Sequence, residues 1–135
     1  MKLALEHLGL AARDPNLLKD WYTQVLGAQL LFDNGAQPSA FMLALPGGPL
    51  LEIYPAVHAR PETADNSLAG WRHLALRVDS AEAAQAELSR RGVRFTESQK
   101  PAGWGGRVLF FSDPEGNLLH LVERPTDSPV VLRER

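Results

Sequence analysis

The chain has 135 residues, 44% of them hydrophobic and 22% charged, with a formal net charge of −2 and no cysteine. That is enough apolar material for a packed core, and the charge balance argues against a disordered chain or a partner of nucleic-acid type. Disulfides and thiolate metal ligands are excluded, and no apolar run approaches the roughly 18 residues a membrane span needs.

The opening, MKLALEHLGL, meets Glu6 and His7 too early for a signal-peptide core, so cytoplasm is the expected compartment. Residues 3–12 read as a strand, with Leu8 and Leu10 on one face and Leu5, His7 and Gly9 on the other. Asp14-Pro15 is a helix start, an N-cap aspartate followed by proline at the first helical position. Leu17, Leu18, Trp21, Tyr22, Val25 and Leu26 recur at helical spacing until Gly27, a C-terminal stop. Strands follow at about 29–33, 40–45 and 50–54. In the last, Leu51 and Ile53 oppose Leu50, Glu52 and Tyr54. The polar stretch AVHARPETADNSLA, 56–69, reads as a linker, and its His58 as a surface residue.

The same grammar then returns. HLGL at 7–10 matches HLAL at 73–76, Asp14 matches Asp79, and Gly27 matches Gly92. Pro46, Gly48, Leu50, Leu51, Glu52 and Ile53 match Pro114, Gly116, Leu118, Leu119, His120 and Leu121. Matches in one order at near-constant spacing mark an internal duplication. The second copy has a strand at 71–78, a helix from Asp79-Ser80 to 91, and strands at 94–98, 107–111 and 118–123. The expected organisation is a module at 1–56, a linker at 57–70, a module at 71–124 and a tail at 125–135. Each module is βαβββ, and the fold class is α+β.

In both copies one sheet face is plainly aliphatic and suits a covering helix. The opposite face carries one ionisable side chain on its first strand and one on its last: His7 and Glu52, then His73 and His120. An imidazole or carboxylate buried without a partner costs several kcal/mol, and a shared divalent cation would offset that cost. Three imidazoles and one carboxylate suit zinc, nickel, iron or manganese, whereas calcium and magnesium want mostly oxygen donors.

The motifs HLGLAARD at the start, WYTQVLGAQL at 21–30, LLEIY at 50–54, HLALRVD at 73–79 and DPEGNLLHLVE at 113–123 resemble the vicinal oxygen chelate superfamily. That group holds glyoxalase I, methylmalonyl-CoA epimerase, extradiol dioxygenases and the fosfomycin- and bleomycin-resistance proteins. The resemblance covers nearly the whole chain. It implies paired βαβββ modules whose sheets curl around a shared metal cleft, pairing within one chain or between two in a homodimer. His7, Glu52 and His73 fall at family ligand positions. The fourth position is normally glutamate and here is His120, which sets this chain apart from lactoylglutathione lyase and fosfomycin transferase. Glu123, three residues on, points to the other face.

What the resemblance implies for activity is a lyase or isomerase. A small α-hydroxy or α-keto carbonyl substrate would be bound through two adjacent oxygens, an enolate or enediolate stabilised, and a proton moved by Glu52 or His120. A ring-cleaving dioxygenase acting on an aromatic diol, and a binding or resistance protein without catalysis, stay open beside it. Leu5, Leu50, Tyr54, Trp71 and Val122 share the ligand faces and are candidate pocket walls. Arg77 has the parity of His73 and suits an anionic substrate. Trp104, in the glycine-rich PAGWGG loop, either closes over substrate or anchors its loop as a buried side chain. The expected partner is a small molecule, with no nucleic acid and no membrane.

Overall fold

The computed structural model describes residues 1–59 and 61–132. Position 60, expected in the linker, and positions 133–135, expected in the tail, lie outside the described residues. The chain divides into two compact units, Met1–Pro61 and Glu62–Arg135.

The first unit holds β1 (His7–Ala12), α1 (Pro15–Gln24), β2 (Gln29–Asp33), β3 (Phe41–Ala44) and β4 (Leu50–Pro55). The second repeats the series as β5 (His73–Val78), α2 (Ala81–Arg90), β6 (Lys100–Pro101), β7 (Arg107–Ser112) and β8 (Leu118–Glu123), then adds α3 (Pro129–Leu132). Each unit forms one sheet, in the orders β1-β4-β3-β2 and β5-β8-β7-β6. The architecture is therefore α+β with two βαβββ modules, as the duplication predicts.

Helix starts and stops follow from local chemistry. Asp14 accepts the Leu17 N–H at 3.0 Å and Pro15 opens α1. In the second module the cap is Ser80 rather than Asp79, its hydroxyl accepting the Ala83 N–H at 3.1 Å. Gly92, at φ 94, closes α2: its own N–H reaches the Ser89 carbonyl and the Val93 N–H reaches the Leu88 carbonyl.

Three strand boundaries depart from the sequence reading. β1 begins at His7 and β5 at His73, so Leu5 and Trp71 precede their strands instead of belonging to them. No strand occupies 94–98; the outer strand is the short Lys100–Pro101. The tail, which shows no period in sequence, forms one short helical turn.

Burial alternates along β1, β3, β4 and β5, whereas β8 is buried on both faces and β2 is exposed throughout. In the first module Leu18 and Tyr22 of α1 pack on the side of Phe41, Leu43, Leu51 and Ile53, all buried. In the second, Ala81 and Leu88 of α2 are buried with Leu109, Phe111, Leu119 and Leu121. Among the described residues no helix is long and apolar enough to cross a membrane.

Candidate metal centre

The duplication is preserved to the register. β1 pairs with β4 in parallel, His7 opposite Leu50 and Gly9 opposite Glu52; β5 pairs with β8 in parallel, His73 opposite Leu118 and Ala75 opposite His120. Each module thus sets its two ionisable residues diagonally on adjacent strands, on the face away from its helix.

In the first module His7 Nε2 stands 3.9 Å from Glu52 Oε2, with both side chains more than a third exposed. Two donors sharing one ion through bonds of about 2.1 Å stand about 3.4 Å apart in tetrahedral geometry. The pair is close to that spacing and lies on a surface ready to bind. The Glu6 carboxylate is 3.5 Å from His7 Nδ1. Glu52 also borders a cavity of about 190 Å³ lined by Phe32, Asn34, Ala40, Phe41 and Met42. Tyr54, on the same face, lies over Gly9, where an added Cβ would meet its ring at 3.3 Å.

In the second module the rings of His73 and His120 are 4.7 Å apart, centre to centre. Phe110, opposite His120 on β7, stands 4.8 Å from the His120 ring and edge-on to His73 at 5.9 Å. His120 is only 6% exposed. Burial holds its pKa below the ordinary histidine value, and the nearby His73 adds to that; its bond to the Leu121 carbonyl opposes both. His120 is therefore neutral, the form that ligates metals and accepts protons.

The donor chemistry fits a transition metal. Nδ1 of two of these histidines bonds an oxygen acceptor, the Asn66 side-chain oxygen at 2.8 Å for His73 and the Leu121 carbonyl at 3.2 Å for His120. An oxygen acceptor calls for the proton on Nδ1, which leaves the Nε2 lone pair to the ligand face. Among the described residues no group of three or more His, Asp or Glu side chains stands together as a complete site. Each module by itself brings two such side chains together.

The remaining expected residues divide. Tyr54 and Arg77 lie exposed on their ligand faces, while Val122 shares the His120 face and is buried. Leu5 and Trp71 are largely exposed outside the strands. Trp104 is 78% exposed, which rules out the buried anchor. Its backbone sits at φ 71, unusual for a bulky residue, and the Arg124 guanidinium ties the loop down by donating to the Gly103 and Gly105 carbonyls. Glu123 does face the helix side: it accepts the Ala81 N–H at 2.7 Å and pairs with Arg107.

Sequence reading missed Phe110, Lys100 and Asn66. Phe110 was recoverable, since it corresponds to Met42: each sits opposite the last ionisable residue of its module. Lys100, whose ammonium lies 4.9 Å above the Phe110 ring, sits on a strand the sequence misplaced. The DPEGN segment turned out to be architecture. Buried Asp113 accepts the N–H groups of Glu115 and Asn117 and the Asn117 amide, with Gly116 at φ 83. That tight turn delivers β8 with His120 facing the site.

Two βαβββ modules, each with a pair of ionisable residues on the sheet face away from its helix, define the class of fold to which the chain belongs. Residues 4–121 match the model of the Glyoxalase/Bleomycin resistance protein/Dioxygenase superfamily, and this chain belongs to that superfamily. It is 30% identical over 128 residues to the uncharacterized protein YaeR of Escherichia coli, spanning 89% of this chain and 95% of that one. A glyoxalase family protein from Enterococcus faecalis shares the fold with a TM-score of 0.75 at 27% identity, over 89% of this chain and 97% of the other. TnmS3, an antibiotic binding protein from Streptomyces, gives a TM-score of 0.68 at 28% identity, over 92% and 98%.

Proposed function

We propose that this protein is a metal-dependent lyase or isomerase acting on a small α-hydroxy or α-keto carbonyl compound. His7, Glu52, His73 and His120 would hold one divalent zinc, nickel, iron or manganese ion. The observation that carries the reading is the shared state of His73 and His120, neighbouring imidazoles each with Nδ1 bonded to an oxygen, which leaves Nε2 for a ligand. Two donors per module are too few for a resident transition metal, so the reading joins both halves, within one chain or across a homodimer. Exposed Leu30, Leu31 and Phe32 on the edge strand β2 support the homodimer.

The ion would supply Lewis acidity toward negative charge on two neighbouring substrate oxygens. The chain's own residues do the rest. The apolar cavity beside Glu52 excludes water and holds the carbon skeleton. Arg77 meets an anionic group. Tyr54, Trp104 and Val122 contribute to the substrate surface, with Leu5 and Trp71 at its margins. Glu52 or neutral His120 takes the proton from the carbon next to the carbonyl and returns it.

Elemental analysis of the purified protein, repeated on His7→Ala and His73→Ala, tests the metal. About one transition-metal ion per chain in the wild type, lost in either variant, is expected; wild-type protein with none defeats the proposal. Deuterium uptake from solvent into dihydroxyacetone tests the proton step, and oxygen consumption with catechol would transfer the site to the dioxygenase reading.

The similarity to an antibiotic binding protein favours a second reading, ligand capture without turnover. Under it the cavity binds an apolar compound, and removing His73 and His120, which do not line it, leaves that affinity unchanged.

A further inference from the structure

The segment between the modules reads in sequence as a connection. In the structure one of its residues reaches the site. Asn66 Oδ1 lies 2.8 Å from His73 Nδ1. An amide oxygen accepts only, so the His73 proton is on Nδ1. Histidine free in water prefers the opposite tautomer, with the proton on Nε2, so this contact selects the form with a lone pair where a metal would bind.

Asn66 does not meet the ring by chance of a loose loop. It is the central residue of a turn closed by Asp65, whose carboxylate accepts the Ser67 N–H at 3.0 Å and the Ser67 hydroxyl at 2.6 Å. The Arg72 guanidinium donates to the Asp65 carbonyl at 3.3 Å and to the Trp71 carbonyl at 2.9 Å, bracing this turn against the start of β5. The two Ser67 bonds, with Arg72 behind them, hold the Asp65 carboxyl below its usual range, so it stays ionised and the turn stays closed at neutral pH. On its other sides the His73 ring meets Phe110 edge-on and the tilted ring of His120. The exposed imidazole thus has aromatic rings beside it and an amide oxygen on its Nδ1.

We propose that Asn66 is a positioning residue, which fixes His73 in the Nδ1–H tautomer and so raises the affinity of the site for a divalent transition metal. This rests on the metal reading above. His120 obtains the same proton placement from its neighbouring backbone, whereas His73 draws its partner from outside its strand. The turn at 65–67 is then part of the site.

The test uses the full-length protein as wild type, Asn66→Ala and Asn66→Asp. Long-range proton–nitrogen NMR on metal-free protein with labelled histidine, at pH 8, reads the His73 tautomer. Competition with a coloured chelator reads nickel and zinc affinity. Wild type is expected in the Nδ1–H form. Asn66→Ala should shift His73 toward Nε2–H and lose about tenfold in nickel and zinc affinity, with an unchanged circular dichroism spectrum. Asn66→Asp keeps an acceptor and should restore the wild-type tautomer. An unchanged tautomer in Asn66→Ala, or a changed tautomer with unchanged affinity, overturns the positioning role alone. A wild type that binds neither nickel nor zinc overturns the parent reading and the role together.

Discussion

Replacing His120 by phenylalanine separates a ligand from a structural residue. The imidazole is 6% exposed, and burial keeps it neutral. Nδ1 reaches the Leu121 carbonyl, and Nε2 is not an orphaned buried atom. Losing the Nδ1 bond costs about 1 kcal/mol, and replacing a polar ring by an apolar one in a buried place returns about as much. The neighbours at 4.8 and 4.7 Å, Phe110 and His73, accept a phenyl ring at normal aromatic spacing. The larger ring costs about 1 kcal/mol or more in crowding. The metal-free variant should therefore lie no more than about 1 kcal/mol below the wild type. Metal widens the gap, because an ion at a hundred times its Kd adds about 2.7 kcal/mol to a protein that binds it. Urea unfolding of both proteins, in chelator and in excess nickel, measures all four states. A variant less stable by more than about 2 kcal/mol in chelator, and still stabilised by nickel, would make His120 a packing residue and refute the reasoning.

The pH profile of metal-free wild type follows from the same burial. His120 titrates below the ordinary value of 6.5, so between the two values the unfolded chain holds a proton that the native protein lacks. Stability should be full above about pH 6.5 and decline as pH falls through that window, and the phenylalanine variant should decline less. Glu123 behaves as a carboxylate held below its usual value of 4.5, mainly by the Ala81 N–H and with help from Arg107. Its contribution is present above that value and lost as pH drops through the lowered one. Glu123→Gln should lower the thermal midpoint at pH 7 and less so near pH 3. Gly106→Ala would set a Cβ 1.9 Å from the Glu123 carbonyl oxygen at φ +95. It should cost about 3 kcal/mol or more in urea unfolding, or prevent folding.

The fold was legible because duplication doubles every local signal. Leucines alternating with polar residues, aspartate or serine before a helix and glycine after it each appear twice, and each agrees with its copy. The boundaries failed where no alternation or repeat supports them, at Leu5, at Trp71 and in 94–98. The site was legible in part, since parity along a strand shows which residues share a face. It does not show burial: His7 and His120 look alike in sequence, yet one lies in solvent and the other under aromatic rings. Nor does parity reach Asn66, whose contact depends on a turn folding back over seven residues.

The two copies have diverged on one face and not on the other. Leu51 and Ile53 answer to Leu119 and Leu121, every one buried toward the helix, because a packed aliphatic interface tolerates little change of volume. Across the sheet the matching positions are Glu52 against His120 and Met42 against Phe110. The first pair is open, acidic and beside a cavity; the second is enclosed, neutral and aromatic. Packing imposes no such difference, since both sheets have the same order and register. The duplicated scaffold thus keeps its core and differs on the opposite faces. An exposed carboxylate can exchange protons with substrate and solvent, while a shielded imidazole with its Nδ1 occupied can hold its lone pair in place.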